Sequence, residues 1–456
     1  MEETKTIGKE YTTKSLALFA LPAILNEFFI PLLFTIDDGL FISRYVGPNG
    51  LAAFSVLTPV YMINSALSSL FGGAASLASY KMGEKKSREA ESDFTCILLF
   101  VFVLGIVIAG LERIFIRQSL VLLGASEIIY PYAEAFQKVG ALYTPLVLVS
   151  NTFIRFYIPA GKPKMELFSS VVNVSCNLFF DWYFVVFKGI GMVGAAYANL
   201  IANIIMNIIG LSFFTSRHSE LRLGKPQSRL MPLLKDSMKY GISAFLANTS
   251  VAFSVTVSNH VLLHWGNEAY LAAYSIVNNI QSIFMSGYFG LLGTTGPIFS
   301  YAMGERNKEK LKFTFRQLFI LLSVLTVVSI AMFLVLGYIL AELYAGGGVS
   351  ELKDLIYYGM KIAPFSFLFF GYNVAVRMTL ASLGNHRASS TLTFLHEVVL
   401  SNLVIIFLPL IFGVKGVWYS FLLSNIIMFS ITLYAVYVNR DNYGYGRSGN
   451  AWLLDR

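Results

Sequence analysis

The sequence predicts an all-α integral membrane protein with twelve transmembrane helices in two six-helix lobes, related by a pseudo-two-fold axis along the membrane normal. Three observations carry that prediction. The chain is built of long apolar runs with few charges, its basic residues collect in alternate loops, and its two halves repeat one another.

Of the 456 residues, 56% are hydrophobic and 13% are charged, against about 25% charged in a soluble protein. Too few polar groups are present to cover a water-facing surface. The apolar residues form runs of 20 or more, the length that crosses a hydrocarbon core of about 30 Å. In chain order the spans lie near 15–44, 52–79, 93–112, 130–159, 166–187, 192–215, 233–264, 269–302, 314–341, 352–383, 388–412 and 416–439. Unbroken runs of this kind exclude barrel strands, which alternate over about ten residues. The first span starts at Ser15 and outruns the short apolar core of a cleavable signal, so it is expected to stay as a helix. Cys96 and Cys176 both lie inside apolar runs, where a thiol acts as a small hydrophobe.

The net charge of +8 resides in short loops rather than on a basic face of a folded domain, which excludes nucleic acid as a partner. The lipid bilayer is the expected partner instead. Lys5, Lys9 and Lys14 precede span 1, Lys81, Lys85, Lys86 and Arg88 follow span 2, and Arg155, at the end of span 4, is counted with Lys162 and Lys164 in the loop between spans 4 and 5. The same set takes in the loops after spans 6, 8 and 10 and the tail, and holds 26 of the 34 Lys and Arg residues. Basic loops stay on the cytoplasmic side. The chain is therefore expected to be a multi-pass protein of the plasma (inner) membrane with both termini cytoplasmic.

Self-comparison at an offset of about 221 residues aligns the halves. Leu51-Ala-Ala-Phe-Ser55 matches Leu271-Ala-Ala-Tyr-Ser275, and Tyr80-Lys-Met-Gly-Glu84 matches Tyr301-Ala-Met-Gly-Glu305. Arg155 through Gly161-Lys-Pro-Lys164 aligns with Arg377 through Gly384-Asn-His-Arg387, and Leu200-Ile-Ala-Asn-Ile-Ile205 with Leu422-Leu-Ser-Asn-Ile-Ile427. Each copy has six spans, an even number, so both copies enter from the same side and the repeat is parallel. The expected domains are an N-terminal lobe over 1–215, a cytoplasmic linker over 216–232, a C-terminal lobe over 233–440 and a tail over 441–456. Two such lobes are expected to enclose a central cavity.

An ionisable group inside a span costs several kcal/mol and is read as functional by default. Glu27, Asp37 and Asp38 lie on span 1, Asp181 on span 5, and Glu397 beside His396 on span 11. In Asn177-Leu-Phe-Phe-Asp181 the amide and the carboxylate are one turn apart on one helix face. Asp38, from the same lobe, and Asn199 on span 6 can add oxygens. Such a set suits a hard cation, and a buried carboxylate also takes up a proton more readily, so Na+ or H+ fits Asp38, Asn177 and Asp181. The alternative is that Asp37 and Asp38 cap the wet outer end of span 1, while Asn177 and Asp181 only join helices. Asp37 points about 100° away from Asp38 and ranks second. Glu27, near Asn26 and Pro22, can face the cavity or be neutralised against another helix. His396 and Glu397 can relay protons, although neighbours on a helix point to different faces. The repeat places Ser258 and Asn259 opposite Asp37 and Asp38, and Val404 opposite Asp181, so the N-terminal lobe is the one expected to bind the cation.

Tyr61 and Asn64 on span 2, with Asn278, Gln281 and Met285 on span 8, are the candidate substrate-cavity residues. Aromatic faces and polarizable methionine favour amphipathic or cationic small molecules. Pro22 and Pro31 offer a hinge in span 1, whereas Gly72, Gly73 and Gly290 favour close helix packing. No phosphate-binding Gly-Lys-Ser/Thr loop is present, so no ATP is used within this chain, and no HExxH or GxSxG element points to an enzyme. The five histidines are too scattered for a metal site. No cofactor is expected beyond a transported Na+ or H+.

Several of these segments resemble the multidrug and toxic compound extrusion (MATE) family, over essentially the whole chain. They are Asp38-Gly-Leu-Phe-Ile-Ser-Arg44-Tyr-Val-Gly47, the Gly161-Lys-Pro-Lys164 turn, and Asn177-Leu-Phe-Phe-Asp181 followed by Gly191-Met-Val-Gly194-Ala-Ala. The resemblance implies two lobes working by alternating access, with drug efflux driven by Na+ or H+ entry. It implies an N-lobe cation site at Asp38, Asn177 and Asp181, with Asn199 where many relatives have Thr. Span 7 has no acid in its membrane part, unlike the NorM-like branch, so the DinF-like and MepA-like branches fit better. The expected function is a monomeric secondary transporter. The alternative is a lipid-linked oligosaccharide flippase of the same superfamily, for which Arg377 is the main candidate cavity cation.

Overall fold

The structure is a computed structural model that describes residues 6–345 and 350–440, the side chains at 30–40, 252, 268, 343–345, 350 and 351 excepted. Among the described residues twelve long helical rods follow in order. After a 3-10 turn at Thr6–Gly8, α1 runs Thr13–Phe41 and ends in a π turn over Ile42–Val46. Next come α2 (Pro48–Gly83), α3 (Ser87–Ile114), α4 (Tyr130–Tyr157), α5 (Pro163–Phe187), α6 (Gly191–Thr215) and α7 (Leu230–Trp265). α8 spans Glu268–Gly304, α9 spans 308–345 with a π turn at Phe333–Gly337, and α10 spans 350–382 with a 3-10 break at Ala363–Ser366. α11 spans 386–412 with a π segment at Phe394–Leu400, and α12 spans Gly416–Val438. Among the described residues there is no strand.

Eight stretches of the described residues are long and apolar enough to cross a membrane; they contain α2 to α7, α9, and α11 with α12. Exposed leucine, isoleucine and phenylalanine cover their outer faces, as on α3, where Leu99, Phe102, Ile106 and Leu111 point outward. Such faces are stable only against lipid. One helix had no counterpart among the predicted spans: Ile116–Leu122, a seven-residue segment after α3.

The repeat is written in the backbone. The two non-glycine residues with positive φ among those described, Lys85 (64°) and Arg306 (54°), occupy the same place in the two copies, after Met-Gly-Glu. Gly161 (71°) pairs with Gly384 (77°), and Gly191 (60°) with Gly413 (60°). At the glycines no Cβ opposes the left-handed turn that reverses the chain.

Packing divides the chain into two units. One comprises residues 6–9 and Leu25–Gly241; the other comprises Glu10–Ile24 and residues 242–440. The first part of α1 thus packs with the C-terminal unit, and α7 changes unit after Gly241. Within the N-terminal unit α2 and α7 cross in near-backbone contact: a Cβ at Gly73 would lie 2.3 Å from the Ser237 carbonyl oxygen, and one at Gly241 would lie 2.0 Å from that of Leu70.

The segment between α6 and α7 is not a loose strand of chain. Ser92 of α3 accepts hydrogen bonds from the amides of Gln227 (2.9 Å) and Ser228 (3.0 Å), and Thr95 accepts from Gly224 (2.9 Å). Ser228 donates to Asp93 at 2.6 Å. Lys81 pairs with the same carboxylate at 2.6 Å, so the buried Asp93 is compensated.

Candidate functional site

α5 begins at Pro163, a residue suited to the first helical position because its missing amide would have had no partner there. About four turns after Pro163 it carries Asn177 and one turn later Asp181, and both are buried, with exposures of 1% and 0%. The i, i+4 spacing therefore does bring amide and carboxylate to one buried face. Neither the Asn177 amide nitrogen nor its oxygen has a hydrogen-bond partner. Directly after Asp181 the helix widens into a π segment, Trp182–Phe187, a form frequent at functional positions.

α6 packs along α5 and presents a ladder of asparagines. Asn199 is half-buried and its amide donates to the Ala195 carbonyl at 3.1 Å; Asn203 donates to Asn199 O at 2.9 Å, and Asn207 to Asn203 O at 2.8 Å. Asn207 also donates to Ser150 on α4 at 2.7 Å. Asp37 and Asp38, the span 1 members of the predicted set, have side chains outside the described residues.

The candidate cavity residues take different places. Tyr61 is half-buried with its hydroxyl 3.3 Å from that of Tyr143. Asn64 is buried against Glu112 of α3, which also accepts from Thr144 at 2.9 Å. Gln281 is likewise buried; its amide donates to Ser366 at 2.7 Å and so holds the 3-10 break of α10. Asn278 is exposed and lines a recess in the C-terminal unit with Tyr274, Trp418 and Phe421, while Met285 is half-buried.

Several basic residues counted from the sequence as loop charges lie inside helices, Arg155 of α4 and Arg377 of α10 among them. Arg377 of α10 is buried and paired with Glu397 of α11 at 2.7 Å. His396 Nδ1 lies 3.1 Å from the same Glu397 oxygen, so these helix neighbours meet each other instead of facing apart. The π segment Phe394–Leu400 contains both residues, and its main-chain carbonyls take side-chain hydrogen bonds as well. The His396 carbonyl accepts from Ser401 at 2.8 Å, and that of Glu397 accepts from Ser254 and Asn402, each at 3.2 Å. A pyrophosphate-binding cation, as a flippase would need, is not available from an arginine already neutralised in this way.

Arg155, the repeat mate of Arg377, sits in α4 and donates to Ser69 at 3.0 Å. Its charge acts on Glu27 of α1 and Glu166 of α5. Glu166 and Glu112 escaped the sequence reading because each lies near a charged end of its span, where an acid reads as solvated. The usable signal was the excess of acids over bases within span ends of the first half.

Among the described residues no cluster of His, Cys, Asp or Glu has the makings of a metal site of the three-ligand kind.

Comparison with known proteins accords with this architecture. Two multidrug export proteins named MepA are similar over nearly their whole length. That of Staphylococcus haemolyticus is 23% identical, covering 94% of each chain, and that of Staphylococcus aureus is 23% identical, covering 96% of this chain and 97% of the other. Among solved structures, an outward-facing multidrug resistance MATE family transporter of the MOP superfamily superposes with a TM-score of 0.88 at 19% identity, covering 97% of this chain and 99% of that one. A MOP superfamily transporter from Pyrococcus furiosus gives 0.87 at 19% identity with the same coverage. These likenesses show the two-lobe, twelve-helix fold. The family model described as MatE matches residues 22–183 and 244–408, one block in each repeat. The chain is a multi-pass membrane protein and belongs to the MatE family, a family of transporters.

Proposed function

We propose that the protein is a secondary multidrug exporter that exchanges amphipathic, mostly cationic compounds for an entering Na+ or H+. The observation that carries the reading is the Asn177–Asp181 face: a buried carboxylate one turn from a buried amide with both of its polar atoms unpaired. Leaving such an amide unsatisfied costs about 1–3 kcal/mol for each group, and a bound cation or its water would recover that. Asp38 and Asn199 complete the set. Tyr61, Asn278 and Met285 are the substrate contacts best supported by their exposure, while Asn64 and Gln281 act by fixing the helices that bear them. Coupling requires that the cation bind two conformations with different affinity. The domains are the lobes 1–215 and 233–440 with the linker 216–232 and the tail 441–456, both termini are cytoplasmic, and the working unit is a monomer driven without ATP.

The test is export of a fluorescent cationic dye from proteoliposomes under separately imposed pH and Na+ gradients. Asp38→Asn and Asp181→Asn are each expected to lose gradient-driven export by at least tenfold with unchanged protein yield. Wild-type rates in both variants would sink the assignment. The gradient that drives the wild type names the coupling ion.

A further inference from the structure

A second buried polar cluster lies at the other end of α5, away from Asn177 and Asp181. Glu166, in the first turn of α5, is 5% exposed, and Asn26 of α1 is 6% exposed. Asn26 Nδ2 donates to Glu166 Oε1 at 3.4 Å. That leaves Asn26 Oδ1 and Glu166 Oε2, two buried acceptors, with no hydrogen-bond partner. An ionised carboxylate has no hydrogen to give, so neither acceptor can satisfy the other. One proton on Oε2 changes this, because a carboxylic acid facing a primary amide gives one hydrogen and takes one.

The surrounding charges argue the same way. From α1 the cluster receives Glu27, half-buried, and from α4 it receives Arg155. Tyr157 of α4 is occupied in accepting from Ser169 at 3.0 Å. α6 has no Asp, Glu, Lys, Arg or His between Gly191 and Thr215, and Lys162 and Lys164 before and within the first turn of α5 are exposed. Two carboxylates thus share one guanidinium, and one negative charge is left over in a largely buried place. A metal ion there would be repelled by Arg155, which has no acceptor to offer it. A proton meets no such barrier. Arg155 is itself exposed, so water reaches the edge of the cluster and gives the proton a route in and out.

We propose that Glu166 is a proton-binding site of the N-terminal unit, separate from the Asp38–Asp181 set, in which Asn26 holds the protonated carboxyl and Glu27 serves as the counter-ion of Arg155. Binding adds one proton to Glu166 Oε2, and release returns it to water. Because Asn26 belongs to α1 and Glu166 to α5, any displacement of α1 that withdraws the amide favours release.

Infrared spectroscopy of the purified full-length protein in lipid nanodiscs reads this directly through the deuterium-sensitive C=O stretch of a protonated carboxyl, followed through a pH titration. Wild type is expected to show such a band at neutral pH, Glu166→Gln to lose it, and Asn26→Ala to move its titration midpoint to lower pH by at least one unit. Labelling wild type with 13C-glutamate should shift the band, which assigns it to a glutamate even if Glu166→Gln fails to fold. Asp181→Asn should keep it, so loss of coupling at Asp181 and loss of this proton are read separately. Absence of the band in wild type at neutral pH, or a band indifferent to both Glu166→Gln and Asn26→Ala, would overturn the proposal.

Discussion

Arg155 and Arg377 occupy one position of the repeat yet meet different counter-charges. Arg377 has a direct partner in Glu397, and His396 shares it. Removing one member of a buried pair leaves a charge without compensation, at about 3–5 kcal/mol. Arg377→Met is therefore expected to lower the thermal stability of the purified protein sharply, and Arg377→Met with Glu397→Leu to recover most of the loss. A double variant no more stable than the single one would show that Arg377 acts through packing instead. Asn177 makes the opposite case. Its amide bonds nothing, so Asn177→Leu should leave thermal stability within about 1 kcal/mol or raise it, because an unsatisfied polar group is removed. The same variant should lose gradient-driven export. A marked fall in stability with export intact would make Asn177 a structural residue. Both residues of the Asn177–Asp181 face were legible in the sequence, because an amide and an acid at i, i+4 interrupt an otherwise apolar run. Glu166 was not. Two residues after the Lys162-Pro-Lys164 turn it reads as a helix-start acid, and only the third dimension brings Asn26 to it across 140 residues.

At the scale of elements, the hydrophobic runs located all twelve rods because a bilayer core demands unbroken apolar length whatever the packing. The widened turns left no such trace. A π segment shifts hydrogen bonds by one residue without changing composition, so Ile42–Val46, Trp182–Phe187 and Phe394–Leu400 were invisible in the sequence although all three abut or contain ionisable residues. The seven-residue helix Ile116–Leu122 was missed because it is too short to show a period. Gly73, by contrast, was read correctly as a packing glycine, and its counterpart Gly241 shows how tight the crossing is. Here a side chain meets main chain, which cannot rotate away. Gly241→Val is thus expected to destabilise by at least the ~1–3 kcal/mol of an overpacked core, visible as a lower melting temperature and lower yield. Gly110 of α3 has open space around it. Gly110→Ala is the matched control and should stabilise by up to about 1 kcal/mol through helix propensity. Equal effects of the two substitutions would mean that the α2–α7 crossing is not the constraint.

For the whole molecule, the informative quantity is the placement of its few charges. The loops after even-numbered helices are basic, and even with Arg155 and Arg377 reassigned to helices the imbalance among the 34 Lys and Arg residues still favours one side. Basic loops resist transfer across the membrane, so this imbalance sets the direction of the first helix and, with an even number of spans per repeat, of every later one. The turn between α8 and α9 together with the start of α9 carries Arg306, Lys308, Lys310 and Lys312, whereas the connection between α3 and α4 holds Arg117 alone as a basic residue between Ile116 and Ile129. Ser126 and Glu309 are exposed in these two places. With Cys96 and Cys176 replaced by alanine, single cysteines at Ser126 and Glu309 can be probed in intact cells with a membrane-impermeant maleimide. Ser126→Cys is expected to react from outside and Glu309→Cys only after the cells are opened. The reverse pattern would invert the orientation, turn the proposed exporter into an importer for the same gradient, and remove the charge imbalance as its cause.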